Sequence, residues 1–227
     1  MAEKIRVTIL EDHQSIIDGY LFRLSTFPEI EVVSTLYFGD ELEPALEKTA
    51  TDVLILDVNV PSSPDNHNPY PILHIISKLL ETYPNLTILI ISMVAERGLI
   101  RATMEAGASG YILKDDLVTI RELGNVIISI AHGGIHFSQR AHQFFVQHVK
   151  KMGDLLTPRQ LEVLSLYAAY PNASTEDLAK KMSISNSTIR NSLSGAYVKL
   201  GVHTREAAVA KARELGLISP EPDGRPI

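Results

Sequence analysis

The chain has 227 residues, 45% of them hydrophobic and 21% charged, a composition that predicts packed cores in one large or two ordinary domains and excludes global disorder. It contains no cysteine, which excludes a disulfide framework and a zinc site built on thiolates. The net charge of −6 is unevenly distributed: residues 1–149 carry 10 Lys and Arg against 19 Asp and Glu, whereas residues 150–227 carry 11 against 8. This mildly basic second part suggests that only it contacts nucleic acid.

Neither the first residues of the sequence nor its apolar runs suggest a membrane protein. The longest apolar stretch, LTILIISMV at 86–94, is too short to span a bilayer. The first segment, MAEKIRVTIL, lacks the long apolar region of a signal peptide and enters a strand pattern almost at once. Together with the absence of cysteine, these features favour a cytoplasmic protein without membrane contact.

The first part of the chain alternates short apolar runs with amphipathic segments. The runs predict five strands, at Ile5–Leu10, Glu31–Thr35, Val53–Leu56, Thr87–Ile91 and Gly110–Leu113. Five helices are predicted between and after them, near residues 14–26, 40–49, 72–83, 96–106 and 119–132. This alternation indicates right-handed crossovers and a parallel α/β sheet covered by helices on both faces. Sheets of this kind place their sites beyond the carboxyl ends of the strands.

The second part is predicted to be entirely helical. A helix from Gln139 to Met152 leads to four more, near residues 158–170, 175–182, 187–200 and 204–215. Helix N-caps are predicted at Thr157, Ser174 and Thr204, and Thr157-Pro158-Arg159-Gln160 combines a cap, an N1 proline and a capping-box glutamine. We therefore expect a first domain at 1–133, a helical linker at 134–154, a second domain at 155–218 and a flexible tail at 219–227.

Polar side chains follow the predicted strands at one edge of the sheet. They are Glu11 and Asp12 after the first strand, Asp57 after the third, Ser92 after the fourth and Lys114 after the fifth. An ionised Asp57 at the end of the run VLIL must be paired, hydrated or bound to a metal, because burying an isolated charge is costly. Crowded carboxylates favour a cation such as Mg²⁺. A metal and a lysine would neutralise an incoming phosphoryl group, which a carboxylate can accept as an acyl phosphate.

Each of these residues also has a simpler interpretation when it is taken alone. Glu11 and Asp12 could be an acidic pair at a helix N-terminus, Ser92 a cap, Lys114 a solvated charge and Asp57 a loop cap. Their coincidence at strand ends, in this order, favours the phosphoryl-transfer site over the separate interpretations.

Four segments resemble the receiver domain of response regulators: ILEDH at 9–13, LILDVNVP at 54–61, IIS at 90–92 and AGASGYILKD at 106–115. With its second part, the whole chain resembles a NarL/FixJ (LuxR-type) transcriptional regulator. The resemblance implies a flavodoxin-like sheet of order 2-1-3-4-5 with Asp57 as the phosphoacceptor. The further implied roles are Mg²⁺ ligation by Glu11, Asp12, Asp57 and the backbone carbonyl of Asn59, phosphoryl binding by Ser92 and Lys114, and switching by Tyr111.

One segment departs from the family pattern. After Pro61 the chain has SSPDNHNPYP at 62–71, roughly six or seven residues longer than the usual link, a length that a surface loop tolerates at little cost. This insert could shield an acyl phosphate or reshape a kinase-docking surface. A tolerated surface insertion is the simpler alternative, and we expect it here.

Residues 157–218 resemble the four-helix LuxR-type helix-turn-helix domain, in which a scaffold helix precedes the recognition helix at 187–200. Candidates for its outward side are Asn186, Ser187, Thr188, Arg190, Asn191, Ser194, Tyr197 and Lys199. The resemblance implies phosphate contacts from Thr188 and Lys199, and contacts to base edges or nearby phosphates from Arg190 and Asn191. Where the family often has histidine, a polar residue and arginine, this chain has Ser192, Gly195 and Val198, so its recognition helix carries fewer cations.

The expected function is that of a response regulator rather than an enzyme. A sensor histidine kinase would phosphorylate Asp57, and the chain would bind double-stranded promoter DNA, as a homodimer when active. One alternative is a phosphorylation-independent or protein-binding member whose receiver serves mainly for dimerisation. Another is a phosphatase of the haloacid-dehalogenase type, suggested by the pair Asp57 and Asn59, but that scheme leaves the four capped helices without a role.

Overall fold

The computed structural model describes residues 4–146 and 155–221. The strands in these ranges are β1 (Ile5–Leu10), β2 (Ile30–Leu36), β3 (Val53–Leu56), β4 (Pro61–Ser63), β5 (Asn66–Pro69), β6 (Thr87–Ser92), β7 (Gly110–Leu113) and β8 (His136–Phe137). The helices of the first part are α1 (Gln14–Leu24), α2 (Leu42–Lys48), α3 (Ile72–Thr82), α4 (Arg97–Glu105), α5 (Leu117–Arg121), α6 (Leu123–Ala131) and α7 (Gln139–Val146), with a 3₁₀ turn at Gly39–Glu41.

The main sheet is parallel and has the strand order β2-β1-β3-β6-β7-β8. Its first five positions confirm the predicted order 2-1-3-4-5. The predicted number of five strands is wrong, because β8 adds a sixth at the edge beside β7. Gly133 adopts a left-handed conformation with φ of 86° and turns the chain back after α6. The amide of His136 then donates to the carbonyl of Ser109 at 3.0 Å, within a segment that was expected to be a helical linker.

Helices cover both faces of the sheet because the central strands are apolar on both. In β3, Leu54 and Leu56 belong to one core and Val53 and Ile55 to the other, and all four are at most 1% exposed. A strand buried on both faces has the continuous aliphatic composition seen here. Asp57, which follows β3, therefore lies at the edge of a layer from which water is excluded.

Two predicted helices differ from the observed ones. The predicted helix at 119–132 is divided into α5 and α6 at Glu122, whose φ of −92° and ψ of 15° are not helical. The predicted helix at 40–49 begins as the 3₁₀ turn and continues as α2. The helix predicted from Gln139 to Met152 is present as α7 up to Val146, and residues 147–152 lie outside the described residues.

The second part consists of four helices, α8 (Pro158–Ala169), α9 (Thr175–Lys181), α10 (Asn186–Leu200) and α11 (Arg205–Glu214). Each begins at a hydroxyl N-cap whose side chain accepts a backbone hydrogen bond from the third helical residue; the caps are Thr157, Ser174, Ser185 and Thr204. Helix α10 ends at Gly201, which is left-handed with φ of 67°. No helix in the described part of the chain has the length and apolar content that crossing a membrane requires.

Helix α8 lies between the two parts of the molecule. It packs against α10 and α11 within its own part, and against α3, α4 and β5 of the first part. Its residues 160–169 are all buried as a result. Residues from both parts therefore belong to one apolar core, in which Leu73 of α3 and Leu161 of α8 are both found.

The insert forms an antiparallel hairpin of β4 and β5, in which Pro61 pairs with Pro69 and Ser63 with Asn66. Ser62 is 0% exposed and Tyr70 is 3% exposed. The hairpin packs against the 3₁₀ turn and against α8. The expected surface insertion is therefore wrong: the insert is a structured element between the two parts of the chain.

Candidate functional site

The carboxyl edge of the sheet holds the polar residues that follow the strands. Leu10 and Leu56 are paired in register, so the residues after them, Glu11 and Asp57, are neighbours. Ladder hydrogen bonds continue past the strand ends: the amide of Asp57 donates to the carbonyl of Leu10 at 3.0 Å, and the amide of Lys114 donates to the carbonyl of Ser92 at 2.9 Å. These bonds fix the backbone from which the polar side chains extend.

A buried lysine joins two of the carboxylates. Lys114 Nζ lies 2.8 Å from Asp57 Oδ2 and 2.5 Å from Glu11 Oε2. The other carboxylate oxygen of Asp57, Oδ1, accepts a hydrogen bond from the amide of Val58 at 2.7 Å. Because Glu11 is 1% exposed and Asp57 is 5% exposed, these charges interact with little screening by water.

Burial and charge oppose each other in this group. Burial, and then the neighbouring carboxylate of Asp57, raise the pKa of Glu11, although Lys114 acts in the opposite direction. Burial tends to lower the pKa of Lys114, but the charges of Asp57 and Glu11 outweigh it, so that the pKa is raised. The lysine is therefore held as a cation, while the acidic pair retains an excess of unfavourable negative charge.

A second cluster adjoins the first. The side chains of Glu11, Asp12 and His13 have ligand atoms within 4.8 Å of one another, a grouping that can hold a metal ion. His13 Nδ1 lies 2.8 Å from Asp12 Oδ1 and 3.1 Å from Glu11 Oε1. Asn59 contributes a buried side-chain oxygen, Oδ1, that has no hydrogen-bond partner among the described residues. The oxygen-rich donor set and the raised pKa of Glu11 both fit a hard cation such as Mg²⁺.

Ser92 and Tyr111 lie beside this edge and are almost completely buried. Ser92 Oγ accepts a hydrogen bond from the amide of Val94 at 3.2 Å. Tyr111 is 0% exposed, and its hydroxyl donates to the carbonyl of Val94 at 2.7 Å. Burial and the charge of Asp57 raise the pKa of Tyr111, so its hydroxyl stays protonated. Both side chains are thereby tied to the segment that links β6 to α4.

The predicted nucleic-acid contacts lie on α10. Four of these residues are exposed near the N-terminus of the helix: Ser187, Thr188, Arg190 and Asn191. Asn186, the first residue of the helix, is half-buried. The N-cap Ser185 organises this end, since its Oγ lies 2.8 Å from the hydroxyl oxygens of both Ser187 and Thr188. Ser185 was not predicted as a cap, although a serine before a helical run is the ordinary signal.

Lys199, the sixth predicted contact, is exposed but bonded within the domain. Its Nζ donates to Gln160 Oε1 at 3.2 Å, and the same oxygen accepts from the amide of Thr157 at 2.9 Å. Gly195 lets Gln160 approach α10, because a Cβ at position 195 would lie 2.5 Å from Gln160 Nε2. A phosphate contact by Lys199 requires its side chain to leave Gln160.

Comparison with known proteins assigns the second part of the chain. Residues 154–212 match the family model described as bacterial regulatory proteins, luxR family. This part of the chain is a LuxR-type helix-turn-helix domain. Over nearly its full length the chain is also similar to curated regulators. The transcriptional regulatory protein MctR of Rhizobium johnstonii is 28% identical over 217 residues, covering 95% of this chain and 96% of MctR. DesR of Bacillus subtilis is 28% identical, covering 93% of this chain and 98% of DesR.

The fold is shared with solved response regulators. RcsB from Salmonella enterica serovar Typhimurium, bound to promoter rprA in the presence of phosphomimetic BeF3-, aligns with a TM-score of 0.64 at 22% identity. The alignment covers 92% of this chain and 98% of that one. A second RcsB structure, a complex with DNA, aligns with a TM-score of 0.59 over 96% of this chain. The predicted fold class, a receiver followed by a helix-turn-helix domain, is confirmed.

Proposed function

We propose that this protein is a two-component response regulator that accepts a phosphoryl group on Asp57 and binds promoter DNA through α10. One observation carries the proposal: the same chain places a buried carboxylate, bonded to a buried lysine, at the carboxyl edge of a receiver-type sheet and continues into a LuxR-type helix-turn-helix domain. Curated relatives along the whole chain are named transcriptional regulatory proteins, which supports the same conclusion.

In the proposed reaction, a carboxylate oxygen of Asp57 forms the bond to phosphorus while the bond from phosphorus to the donor breaks. The donor is the phosphohistidine of a sensor kinase, and the phosphorylated product is an acyl phosphate. Lys114 Nζ, 2.8 Å from Asp57 Oδ2, is within reach of the phosphoryl oxygens, whose charge it neutralises. Ser92, 1% exposed at the end of β6, is the proposed hydroxyl donor to the same oxygens. Tyr111 is the proposed switch residue, since it is bonded to the segment that follows Ser92.

Mg²⁺ is the proposed cofactor of this reaction. Glu11, Asp12, Asp57 and the backbone carbonyl of Asn59 are the residues that would hold it, and it would neutralise charge on the transferred group. The acidic pair Glu11 and Asp57 supports this assignment, because burial and mutual repulsion already raise the pKa of Glu11. A metal cation held by these carboxylates would offset that penalty.

On the DNA side, Thr188 and Lys199 are the proposed phosphate contacts, and Arg190 and Asn191 the proposed contacts to base edges. Asn186 and Ser187 complete the N-terminal end of the recognition helix. RcsB, whose fold this chain shares, has been solved as two dimers bound to two parallel DNAs, and we propose a homodimer as the active form here too. We propose that the protein acts in the cytoplasm, with a receiver at 1–133, a linker at 134–154 and a DNA-binding domain at 155–218.

Selection from a random duplex library tests the proposal, because the target sequence need not be known. The full chain should enrich related half-sites about one helical turn apart, and treatment with acetyl phosphate and Mg²⁺ should tighten binding to them. Asp57→Asn should bind the selected duplex with the affinity of the untreated protein under both conditions. Absence of any enriched sequence would contradict the DNA-binding function, and equal tightening of the Asn variant would contradict control through Asp57.

A further inference from the structure

The insert supplies a hydrogen bond to a helix of the other domain. Ala169 is the last residue of α8, and carbonyls in the last turn of a helix have no partner within it. Asn66 Nδ2 donates to that carbonyl at 3.0 Å across the domain boundary. The side-chain oxygen of Asn66 is occupied inside the hairpin, where Asn68 donates to it from its amide at 3.2 Å and its side chain at 2.9 Å. The hairpin thus orients Asn66 toward α8.

The end of the DNA-binding domain makes a second bond, directly beside the phosphoacceptor. Ser219 Oγ donates to the carbonyl of Val58 at 2.9 Å, and both residues are buried. The amide of the same Val58 donates to Asp57 Oδ1. One residue therefore connects the carboxylate of Asp57 to the C-terminal segment 216–219. This segment includes the first residue of the predicted flexible tail, and that expectation is wrong for Ser219.

Close packing holds the C-terminal segment against α4. A Cβ at Gly98 would lie 2.8 Å from the carbonyl oxygen of Gly216 and 2.7 Å from Leu217 Cδ2. Gly216 is left-handed with φ of 60°, and a Cβ there would lie 2.6 Å from the Glu96 side chain. Only glycine at 98 and 216 permits this approach. The contact is therefore specific to these two backbones rather than a loose apolar association.

A buried contact between a histidine and a glutamate completes the interface. His74 of α3 is 7% exposed, and its Nδ1 lies 2.9 Å from Glu162 Oε1 of α8. The second oxygen of Glu162 accepts from Arg159 within α8 at 2.9 Å. Meanwhile the N-terminal residues of α10, from Ser187 to Asn191 apart from the buried Ile189, remain exposed. Docking in this form leaves the proposed DNA-contacting end accessible.

We propose that the hairpin 61–69 and the segment 216–219 form an interdomain clamp that holds the DNA-binding domain on the receiver, and that the state of Asp57 sets the closure of the clamp through Val58. The coupling to phosphorylation rests on the proposed function, whereas the clamp itself does not. A phosphoryl group on Asp57 adds a charge of about −1.5 to −2 to the carboxyl group whose Oδ1 the Val58 amide binds. Moving Val58 disturbs the carbonyl that Ser219 holds, so phosphorylation opens the clamp.

The test measures the distance between the domains in the full chain. Because the sequence contains no cysteine, Glu47→Cys in α2 and Glu176→Cys in α9, both exposed, can be spin-labelled selectively. Double electron–electron resonance should give one narrow distribution of distances between the two spin labels in this protein. Adding Gly98→Ala should broaden and lengthen it, because the new Cβ collides with the Gly216 carbonyl while alanine favours α4 as a helix.

Gly19→Ala is the matched control, since Gly19 lies in α1 and a Cβ there would contact only the flexible end of Arg23, at 3.4 Å. It should leave the distribution unchanged. Ser219→Ala removes one interdomain hydrogen bond and should lower the ratio of closed to open molecules about two- to tenfold. Asn66→Ala is an independent variant that also removes the two bonds from Asn68 within the hairpin, and it should lower the ratio at least as much. His67→Ala, on an exposed residue of the same hairpin, should have no effect.

A broad distribution in the starting protein, or an unchanged one in Gly98→Ala, would overturn the clamp. The coupling is tested by adding acetyl phosphate and Mg²⁺ and measuring intact mass on the same sample. A phosphorylated chain should show the broadened distribution, and a phosphorylated chain that keeps the narrow one would overturn the coupling. Absence of the phosphoryl mass would instead contradict the proposed function and leave the clamp result standing.

Discussion

Lys114 and Asp57 form a buried ion pair, with Nζ and Oδ2 2.8 Å apart at the carboxyl edge of the sheet. The same nitrogen lies 2.5 Å from Glu11 Oε2, so one cation serves two carboxylates that follow adjacent strands. Removing one member of such a group leaves buried charge without compensation, which is far more costly than losing an exposed pair. Because of this difference in cost, the free energy of unfolding reports on the site, and its measurement needs no kinase and no DNA.

Lys114→Gln should lower the free energy of unfolding at pH 7 by about 3 kcal/mol, because Glu11 and Asp57 would then face each other without a cation. Urea denaturation measures this loss. Adding Mg²⁺ should restore part of it, and should stabilise the variant more than the unchanged protein. Lys78→Gln is the matched control: its partner Glu43 lies on the surface, so the loss should stay below about 1 kcal/mol. Equal losses in the two variants would contradict the buried triad.

Glu11 should make stability depend on pH. Since its pKa in the folded protein is raised above the ordinary 4.5, the folded state binds its proton more readily than the unfolded state. Its contribution to stability is therefore fully present below pH 4.5 and is lost as the pH rises through the folded value, at up to about 1.4 kcal/mol per pH unit. The stability of the unchanged protein minus that of Glu11→Gln should accordingly fall as the pH rises from 4.5.

Asp52→Asn provides the control for this pH series. Hydrogen bonds from Arg6 lower the pKa of Asp52, so its contribution is present above its ordinary pKa of 3.8 and disappears only in more acidic solution. Between pH 4.5 and 8 the stability difference for Asp52→Asn should be constant. If the stability difference for Glu11→Gln were also constant, Glu11 would have no raised pKa. Binding of Mg²⁺ at Glu11 should make the stability difference for Glu11→Gln change less with pH.

Arg190 and Lys199 should differ in the kind of DNA contact they make. Arg190→Ala should cost about 1–3 kcal/mol of binding on a selected duplex and relax the preference for one base pair. Lys199→Ala should weaken all sequences alike and reduce the salt slope by about one per protomer. Binding titrations over a series of salt concentrations separate the two effects, with Lys48→Ala in α2 as a charge control that changes neither. If Lys199 remains bonded to Gln160 when the protein binds DNA, Lys199→Ala will leave the salt dependence of binding unaltered, which would contradict the phosphate contact.

Much of this architecture is predictable from local sequence patterns. The bounds of β1, β3 and β7 agree with the predicted strands residue for residue. In β3 the reason is plain, because a strand buried on both faces has few alternatives to a continuous apolar composition. The helices of the second part begin within a residue of their predicted starts, since hydroxyl caps fix helix N-termini locally. The convergence of Asp57 and Lys114 follows from strand order, because both residues follow parallel strands, β3 and β7, at the carboxyl edge of one sheet with only β6 between them.

What the sequence did not predict depends on contacts distant along the chain. The segment SSPDNHNPYP has the composition of a turn. It is held as a hairpin by packing on the 3₁₀ turn and on α8, and its hydrogen bond to α8 joins residues about a hundred positions apart. Ser219 likewise has no local signal for burial, because its partner is the Val58 carbonyl. The strand β8 is only two residues long, and its pairing with β7 depends on the turn at Gly133.

Phosphorylation of Asp57 is the most direct test of the whole account. The full chain should be incubated with acetyl phosphate and Mg²⁺, and its intact mass compared with that of Asp57→Asn and Asp115→Asn, the latter an exposed aspartate beside Lys114. The unchanged protein and Asp115→Asn should each gain the mass of one phosphoryl group, and omission of Mg²⁺ should prevent the gain. Asp57→Asn should gain nothing. Equal labelling of Asp57→Asn, or no labelling of any form, would contradict the assignment of Asp57 as the phosphoacceptor.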